Sequence, residues 1–448
     1  MAGLAPTQRI AEWIAELPRS RTAAVAPLAI AGLRDAVGVM LAGAAEETPR
    51  RVAAAVARWG SGSSRVIGTG QALAAPWAAL VNGAAAHVLD YDDTFNPLAG
   101  HATAVLVPAI LAQGEERGAE GAALLDALVV GLEVMACIGR GVNPRHYALG
   151  WHATSTIGAL GAAAACARLL RLGADQVRDA LSLATSMASG SRMQLGAMAK
   201  SVHAGLAAKS GVLAASLAES GVEGTAEALA GRWRFAEMFA GGAASEAAMT
   251  PPAEGAALAI EAVGISYKAY PTCAATHLSL DALLALRVPP ERIARIETAL
   301  PAVLAGNLVH ESPTSGMEAR FSMQYCLATA AFQGQVALAD FEGEAIHRPA
   351  IRALMPRITM QALPDAEPRP ATSVTVHLTD GTHRSETRSI RRGAAENPMT
   401  QAEHLAKFRD CAARVLGPAQ IEAALAALSV LAETGDATTL VTKLVPAA

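Results

Sequence analysis

The chain has 448 residues and a formal net charge of −4, and 52% of its residues are hydrophobic although only 4% are aromatic. This length exceeds one ordinary hydrophobic core and predicts two domains, while an apolar fraction made mostly of Ala, Leu and Val favours a mainly α-helical body. Neither sign of charge forms long runs, which excludes the basic stripe that nucleic-acid binding needs.

The first part of the chain predicts helices almost throughout, because its apolar residues recur with the helical period. Gly and Pro mark the joints between the helices. The predicted helices include residues 34–42, 74–89, 122–138, 157–172, 174–187 and 201–219.

After residue 266 the pattern changes to a mixture of strands and helices. Residues 373–379 alternate between apolar and polar side chains, and Asp380-Gly381 follows as a hairpin-turn signal, so residues 383–390 are predicted to pair back. Further elements are a strand at 295–303, helices at 321–332 and 347–355, and tail helices at 402–416 and 421–431. We therefore predict a helical domain (1–266), an inserted α+β lid domain (267–397) and a helical return (398–448) that packs on the first domain.

An acidic segment at the end of the helix predicted over 74–89 carries the first candidate site. His87 and Asp90 would share one helical face, and Asp92 and Asp93 follow, with His101 further on. Carboxylates at a helix C-terminus oppose the helix dipole, and such local conflicts mark functional sites. Two alternatives stay open: a solvated acidic loop, and a metal site of His87, Asp90, Asp93 and His101.

Two further segments combine His or Lys with small residues. Thr154 lies where a predicted helix begins, so free backbone N–H groups there suit a carboxylate, and His152 could contact the bound anion. The alternative is a His152 packed under Trp151. Lys200 and His203 share a helical face with small apolar residues, so Lys200 either occupies a pocket as a carboxylate ligand or base, or extends to water.

The remaining candidates lie in and beyond the predicted domain junction, where ligand sites are common. Lys268, Cys273 and His277 are possible site residues there, although Cys273 could equally fill the core. Tyr325 lies about one turn into a predicted helix and could either donate a hydrogen bond or fill the core.

Signals of other protein classes are missing from the sequence. No dinucleotide, nucleoside-triphosphate, nucleophile-elbow or zincin motif occurs, so neither a nucleotide cofactor nor the usual nucleophile or zincin chemistry is predicted. The five cysteines are scattered and form no CxxC pair, the chain start lacks the order of a signal peptide, and no long apolar run is free of charge. We expect a cytoplasmic protein without membrane or nucleic-acid partners, whose chemistry comes from His, Lys, Asp and Tyr as acids, bases and charge stabilisers.

Taken together and in this order, these segments resemble the MmgE/PrpD family over nearly the whole chain. The pieces that carry the resemblance are Asn82-Gly83 through Asp93-Thr94, Gly150-Trp151-His152 to Gly158, Lys200 to Gly205, Lys268 to His277, and Arg320-Phe321-Ser322 to Tyr325. The resemblance implies a large helical domain with a smaller α+β lid domain, usually a homodimer, with the active site between the domains. It implies no metal and no organic cofactor.

The resemblance also suggests residue roles. A decarboxylase-like set of active-site residues falls on Asp90, Thr94, His101, His152, Lys200, Lys268 and Tyr325. The decarboxylase branch carries a His where this chain has Cys273, and the segment from His146 to His152 is similar to the epimerase branch, which makes Tyr147 an acid–base candidate.

These roles predict an enzyme that abstracts a proton beside a carboxylate of a small di- or tricarboxylic acid. We expect a 2-methylcitrate dehydratase-like hydro-lyase, with an iminodisuccinate epimerase-like or cis-aconitate decarboxylase-like enzyme as alternatives and a non-catalytic anion-binding protein as a remote one. In this scheme His101 is the base and Asp90 orients it. The other roles are distributed as follows: Lys200, Lys268 and the N–H groups near Thr154 bind carboxylates, Thr94, Cys273 and His277 contact the substrate, and Tyr147, His152 or Tyr325 supplies the second proton.

Overall fold

The computed structural model describes residues 3–366 and 370–447 and divides into two compact units. The first unit contains the chain up to Val88, then Asp92–Ser266, and the chain from Gln401 onward. The second contains Leu89–Tyr91 and Tyr267–Thr400. The predicted second domain spans 267–397, so the observed unit begins at the same residue, ends three residues later and also takes in the short segment around Asp90.

The first unit is built from helices. In chain order they are α1 (Pro6–Glu16), α2 (Arg19–Ala23), α3 (Ala26–Ala44), α4 (Glu47–Val56), α5 (Ala75–Val88), α6 (Thr103–Arg117), α7 (Gly121–Val142), α8 (Arg145–Ala148), α9 (Ala153–Leu169), α10 (Ala174–Thr185), α11 (Met198–Glu219), α12 (Phe235–Ala240) and α13 (Ala259–Ala262). The predicted helices are confirmed. A two-stranded antiparallel hairpin, β1 (Ser64–Arg65) with β2 (Ala72–Leu73), departs from the all-helical prediction.

Small residues let the central helices of this unit approach closely. A Cβ added at Gly83 of α5 would lie 2.6 Å from Cα of Gly205 of α11, and one at Gly211 would lie 2.3 Å from Cβ of Ala162 of α9. Because the backbones touch at these points, α5, α9 and α11 hold the side chains beyond the crossings in a tight cluster.

Two helices of the first unit, α3 and α7, are long and apolar enough to cross a membrane by length and composition alone. Their apolar windows are 67% and 94% buried inside the described structure, respectively. Core helices of a globular unit show the same combination.

The second unit combines helices with one four-stranded sheet. Its elements are α14 (His277–Leu286), β3 (Ile293–Pro301), α15 (Ala302–Ala305), α16 (Gly316–Ala319), α17 (Met323–Gln333), α18 (Pro349–Leu354), β4 (Ile358–Leu363), β5 (Thr372–Leu378) and β6 (His383–Arg388). The strand order is β4-β3-β5-β6, with β3 and β4 parallel and the other pairs antiparallel.

The predicted hairpin of this unit is confirmed. Along β5, Val374, Val376 and Leu378 are buried, and Gly381 in the connection to β6 has a φ of 85°, a conformation that favours glycine. The sequence analysis did not predict β4, whose side chains are mostly exposed or half-buried.

The C-terminal helices return to the first unit. They are α19 (Gln401–Ala412), α20 (Pro418–Ser429) and α21 (Ala437–Lys443). On α19, Lys407 forms a buried ion pair with Asp35 of α3, with Nζ and Oδ1 2.8 Å apart. The next residue, Phe408, packs against Gly38 of α3.

Candidate active site

A buried aspartate between two histidines forms the centre of the candidate site in the first unit. Helix α5 ends at Val88, and Asp90 then takes a left-handed φ of 51°. After this turn the chain brings Asp92 back to His87, whose Nδ1 lies 2.7 Å from Asp92 Oδ2. His101 Nδ1 lies 3.1 Å from the same oxygen, in a less well-aligned contact.

This geometry corrects two predictions about Asp90. The helix does not reach Asp90, so Asp90 does not share a helical face with His87, and the carboxylate on the ring of His101 is that of Asp92. The alternative of a solvated acidic loop is also wrong, because Asp90, Asp92 and Asp93 are all buried. The local conflict between acidic residues and a helix end is resolved by partners, not by water.

The electrostatics of the pair keep Asp92 ionised and His87 neutral. Burial lowers the pKa of His87 from 6.5 to about 4, against the opposing pull of Asp92. Burial alone would raise the pKa of Asp92, but the neighbouring His101 and His87 outweigh it and hold that pKa well below its usual value. At neutral pH the centre therefore holds a carboxylate that accepts the ring N–H of His87 and lies beside the ring of His101.

Asp93 serves a different purpose from its neighbour. Its Oδ1 accepts a hydrogen bond from the backbone N–H of Thr103 at 3.1 Å and another from the Thr103 hydroxyl, at the start of α6. Burial raises the pKa of Asp93 to about 6. Asp93 therefore anchors the beginning of a helix and leaves the two histidines to Asp92.

His152 and His203 extend the cluster along α9 and α11. Their Nδ1 atoms lie 3.0 Å apart, and the His152 ring stacks on His87 with centroids 5.7 Å apart. The alternative that His152 packs under Trp151 is wrong, because the Trp151 ring packs on Phe239 instead. Burial lowers the pKa of His152 well below 6.5 and also lowers the pKa of His203.

Lys200 is held within the same cluster. Only 7% of the residue is exposed, so the alternative of a side chain extending to water is wrong. Its charge contributes to lowering the pKa values of His87, His152 and His203. A buried ammonium among imidazoles that are neutral at pH 7 makes this cluster attractive to a carboxylate.

The first turn of α9 lies beside His101. The hydroxyl of Thr154 accepts a hydrogen bond from the backbone N–H of His101 at 3.1 Å, and a Cβ at Gly100 would lie 2.8 Å from that hydroxyl. Glycine at position 100 therefore permits the close approach that fixes His101 against the helix. This contact ties Thr154 to His101, and its predicted role in substrate binding stays a prediction.

Tyr147 and Thr94, two further predicted site residues of the first unit, have defined contacts in the structure. The half-buried ring of Tyr147 lies under the guanidinium of Arg192, with Cζ 3.6 Å from the ring centroid. Thr94 pairs with Ser266 through two backbone hydrogen bonds of 2.7 and 3.0 Å. Their predicted roles, as an acid–base group and a substrate contact, stay predictions.

The second unit holds a separate buried ion pair. Lys268 Nζ lies 3.0 Å from Asp90 Oδ2 and donates to the Asp90 carbonyl at 2.6 Å. His277 is buried beside them, and burial lowers its pKa well below 6.5. The backbone N–H of Cys273 donates to the carbonyl of Arg320 at 2.9 Å, and the cysteine belongs to the core of this unit.

Tyr325 also lies in the core of the second unit. Its hydroxyl donates to the carbonyl of Asp340, and burial raises its pKa to about 12. The roles predicted for Tyr325 as a proton donor, and for Lys268, Cys273 and His277 as substrate ligands, stay predictions.

Among the described residues, one group of side chains could bind a metal ion. Single ligand atoms of His87, Asp92 and His101 lie within 4.8 Å of one another. This differs from the metal alternative considered from the sequence, because Asp93 is engaged by Thr103 and Asp90 by Lys268. A divalent cation there would take the place of the two ring protons that face Asp92.

The sequence analysis left two members of the cluster without a role. Asp92 was named only as part of an acidic run, and its spacing of five residues from His87 matches neither helix nor strand periodicity. His203 was placed on the face of Lys200 but was not assigned a function. The dense run of three carboxylates after a histidine was the signal that pointed to this region.

Comparisons with known proteins show the family to which the chain belongs. The model of the MmgE/PrpD N-terminal domain matches residues 8–248, and that of the MmgE/PrpD C-terminal domain matches residues 270–432. The chain is 29% identical over 382 residues to the cis-aconitate decarboxylase of Mus musculus, covering 81% of this chain and 77% of that protein. It is 28% identical over 389 residues to the enzyme of the same name from Homo sapiens, covering 82% and 79%. The chain belongs to the MmgE/PrpD family.

Proposed function

We propose that this chain is a cytoplasmic, cofactor-independent lyase that acts on a small tricarboxylic acid by proton transfer at a carbon beside a carboxylate. The observation that carries the proposal is the cluster of His101, Asp92 and Lys200. His101 is partly exposed, with 13% of its side chain accessible, while the side chains of His87 and Asp92 are fully buried. His101 is therefore the member of the triad that can reach a substrate.

The residue types suit this chemistry. A proton on carbon beside a carboxylate is very weakly acidic, so the enzyme must stabilise the negative charge that develops on the substrate. Lys200 supplies a buried ammonium for that charge, and histidine is the side chain most often used to exchange a proton at neutral pH. His101 beside a buried carboxylate meets this requirement.

Decarboxylation is the first candidate reaction, because the relatives named above are cis-aconitate decarboxylases. The bond between a carboxyl carbon and its neighbour would break, carbon dioxide would leave, and the electron pair left on carbon would take a proton from an acid. Lys200 would bind a remaining carboxylate, and His101 in its protonated form would deliver the proton.

Dehydration of a 2-methylcitrate-like acid is the second candidate. By the resemblance to the family, Cys273 stands where the decarboxylase branch is expected to carry a histidine, and this difference favours a reaction other than decarboxylation. In this case neutral His101 takes the proton from carbon, and a hydroxyl group leaves from the neighbouring carbon with a proton from a second acid. Both reactions use the same group for the carbon-bound proton.

A proton NMR time course tests the proposal. Purified protein in buffer with EDTA would be mixed with cis-aconitate, 2-methylcitrate, citrate, malate, tartrate and iminodisuccinate in turn. Loss of carbon dioxide from cis-aconitate supports the first candidate, and a new olefin from a hydroxy acid supports the second. Inversion of a stereocentre alone would assign an epimerase instead, and consumption of none of these acids would refute the proposal.

The EDTA control separates the metal-free mechanism from a metal-dependent one. We expect the same turnover before and after dialysis against the chelator. Activity that is lost on dialysis and restored by a divalent cation would contradict the cofactor-independent part and would point to His87, Asp92 and His101 as ligands. We also propose a homodimer, for which light scattering should give twice the 45.7 kDa mass of the chain.

A further inference from the structure

One oxygen of Asp92 faces the Nδ1 atoms of two imidazoles, hydrogen-bonded to that of His87 and in a poorly aligned contact with that of His101. Oδ2 lies 2.7 Å from His87 Nδ1 and 3.1 Å from His101 Nδ1, while Oδ1 is buried without a hydrogen-bond partner among the described residues. The rings of His87 and His101 meet edge to face, with centroids 4.6 Å apart. Asp92 is thus the common anchor of both rings.

This arrangement determines which ring nitrogens carry protons. An ionised carboxylate only accepts hydrogen bonds, so the nitrogens that face it must be the protonated ones in each neutral ring. His87 and His101 both turn Nδ1 to Asp92, and Nε2 of each ring is then left with its lone pair. A histidine that acts on a substrate through Nε2 needs this tautomer.

We propose that Asp92 is a positioning residue, which holds His101 in the Nδ1–H tautomer so that Nε2 exchanges the substrate proton, and that His87, which faces the same oxygen, fixes the Asp92 carboxylate in place. The inference rests on the proposed function for His101. It assigns to Asp92 and His87 a role that neither their burial nor their packing requires.

The adjacent carboxylate offers a matched control. Asp93 is as fully buried as Asp92, but it binds Thr103 rather than a histidine. Asp92→Asn keeps the shape and removes the charge. It should lower kcat about 10² to 10⁴-fold with KM little changed, the larger loss arising if the amide nitrogen turns to the ring and reverses the tautomer. Asp93→Asn should retain kcat.

A second variant tests the part played by His87. His87→Phe keeps a ring and removes the N–H donor, so the Asp92 carboxylate loses its 2.7 Å contact with His87. This variant should lower kcat by up to about 10²-fold with KM little changed, because the carboxylate that positions His101 is no longer fixed. An unchanged kcat would refute the role of His87.

A spectroscopic readout keeps the inference testable whatever the activity shows. In ¹⁵N-histidine-labelled wild-type protein at neutral pH, the two-bond ¹H–¹⁵N spectrum should show His101 with a protonated Nδ1 and an unprotonated Nε2, assigned by loss of the signals in His101→Gln. A protonated Nε2, or an Asp92→Asn enzyme with unchanged kcat, would overturn the inference. If the wild-type protein consumed no polycarboxylate, the proposed function would fail, while the tautomer would still decide the role of Asp92.

Discussion

The crossing of α5 and α11 gives the sharpest test of how the fold builds the site. A Cβ added at Gly205 would lie 2.1 Å from the carbonyl oxygen of Leu80, which is backbone and cannot rotate away. His87 lies one turn beyond Gly83 on α5, and His203 lies two residues before Gly205 on α11. Gly205→Ala must therefore move the two helices apart at the point from which the histidines project.

The expected loss follows from two opposing effects. Alanine gains about 1 kcal/mol of helix propensity over glycine. Overpacking costs about 1–3 kcal/mol where side chains can adjust, and the upper end or more applies where the contact is with backbone. We expect a net loss of about 2 kcal/mol in the free energy of unfolding, and a loss of about 10² in kcat/KM because displacements near 1 Å misplace catalytic groups.

Urea unfolding and steady-state kinetics at a temperature where the variant is folded would measure both effects. Gly306→Ala is a suitable control, because Gly306 has helical dihedral angles and its added Cβ would lie 3.4 Å from the carbonyl oxygen of Ala302. A Gly205→Ala protein as stable and as active as this control would refute the reasoning about the helix crossing.

Two further perturbations address the buried charges. Lys407→Met removes the ion-pair partner of the buried Asp35, so urea unfolding should show a loss of about 3–5 kcal/mol in the free energy of unfolding. Adding Asp35→Leu should recover most of that loss. A Lys407→Met protein of unchanged stability would contradict this role of the tail helix. Asp93→Asn tests the pKa of about 6. Because the folded protein binds this proton more tightly than the unfolded chain, wild-type stability declines between about pH 4 and pH 6, whereas the variant lacks this dependence. The stability of the variant relative to wild type should therefore be about 2 kcal/mol higher at pH 7.5 than at pH 4.5, and a constant difference would show that the carboxyl is not perturbed.

Local signals in the sequence predicted the elements but not all of their partners. The helices of the first unit and the hairpin of β5 and β6 follow from periodicity and from Asp380-Gly381, which act within a few residues. Strand β4 escaped prediction because it is short, most of its side chains are exposed or half-buried, and its parallel pairing with β3 joins residues about sixty positions apart. Such pairings depend on the whole unit and leave little trace in a short window.

The candidate site shows the same division. The sequence indicated His101, His152 and Lys200 through their segments, yet it assigned the orienting carboxylate to Asp90. The choice between Asp90 and Asp92 depends on the left-handed turn at Asp90, which ends the helix and reverses the chain. A non-glycine residue in that conformation is uncommon, so helical spacing was the natural and incorrect guide.

Deuterium incorporation shows whether His101 transfers the carbon-bound proton. Wild-type protein and His101→Gln would be compared in D₂O with the acid that the wild type consumes fastest, by following deuterium at the carbon beside the carboxylate. We expect deuterium at that carbon with wild type, and a rate lower by about 10² to 10⁴-fold in the variant with substrate binding retained. Incorporation by His101→Gln within about threefold of the wild-type rate would refute this role of His101 and assign the proton transfer to another group.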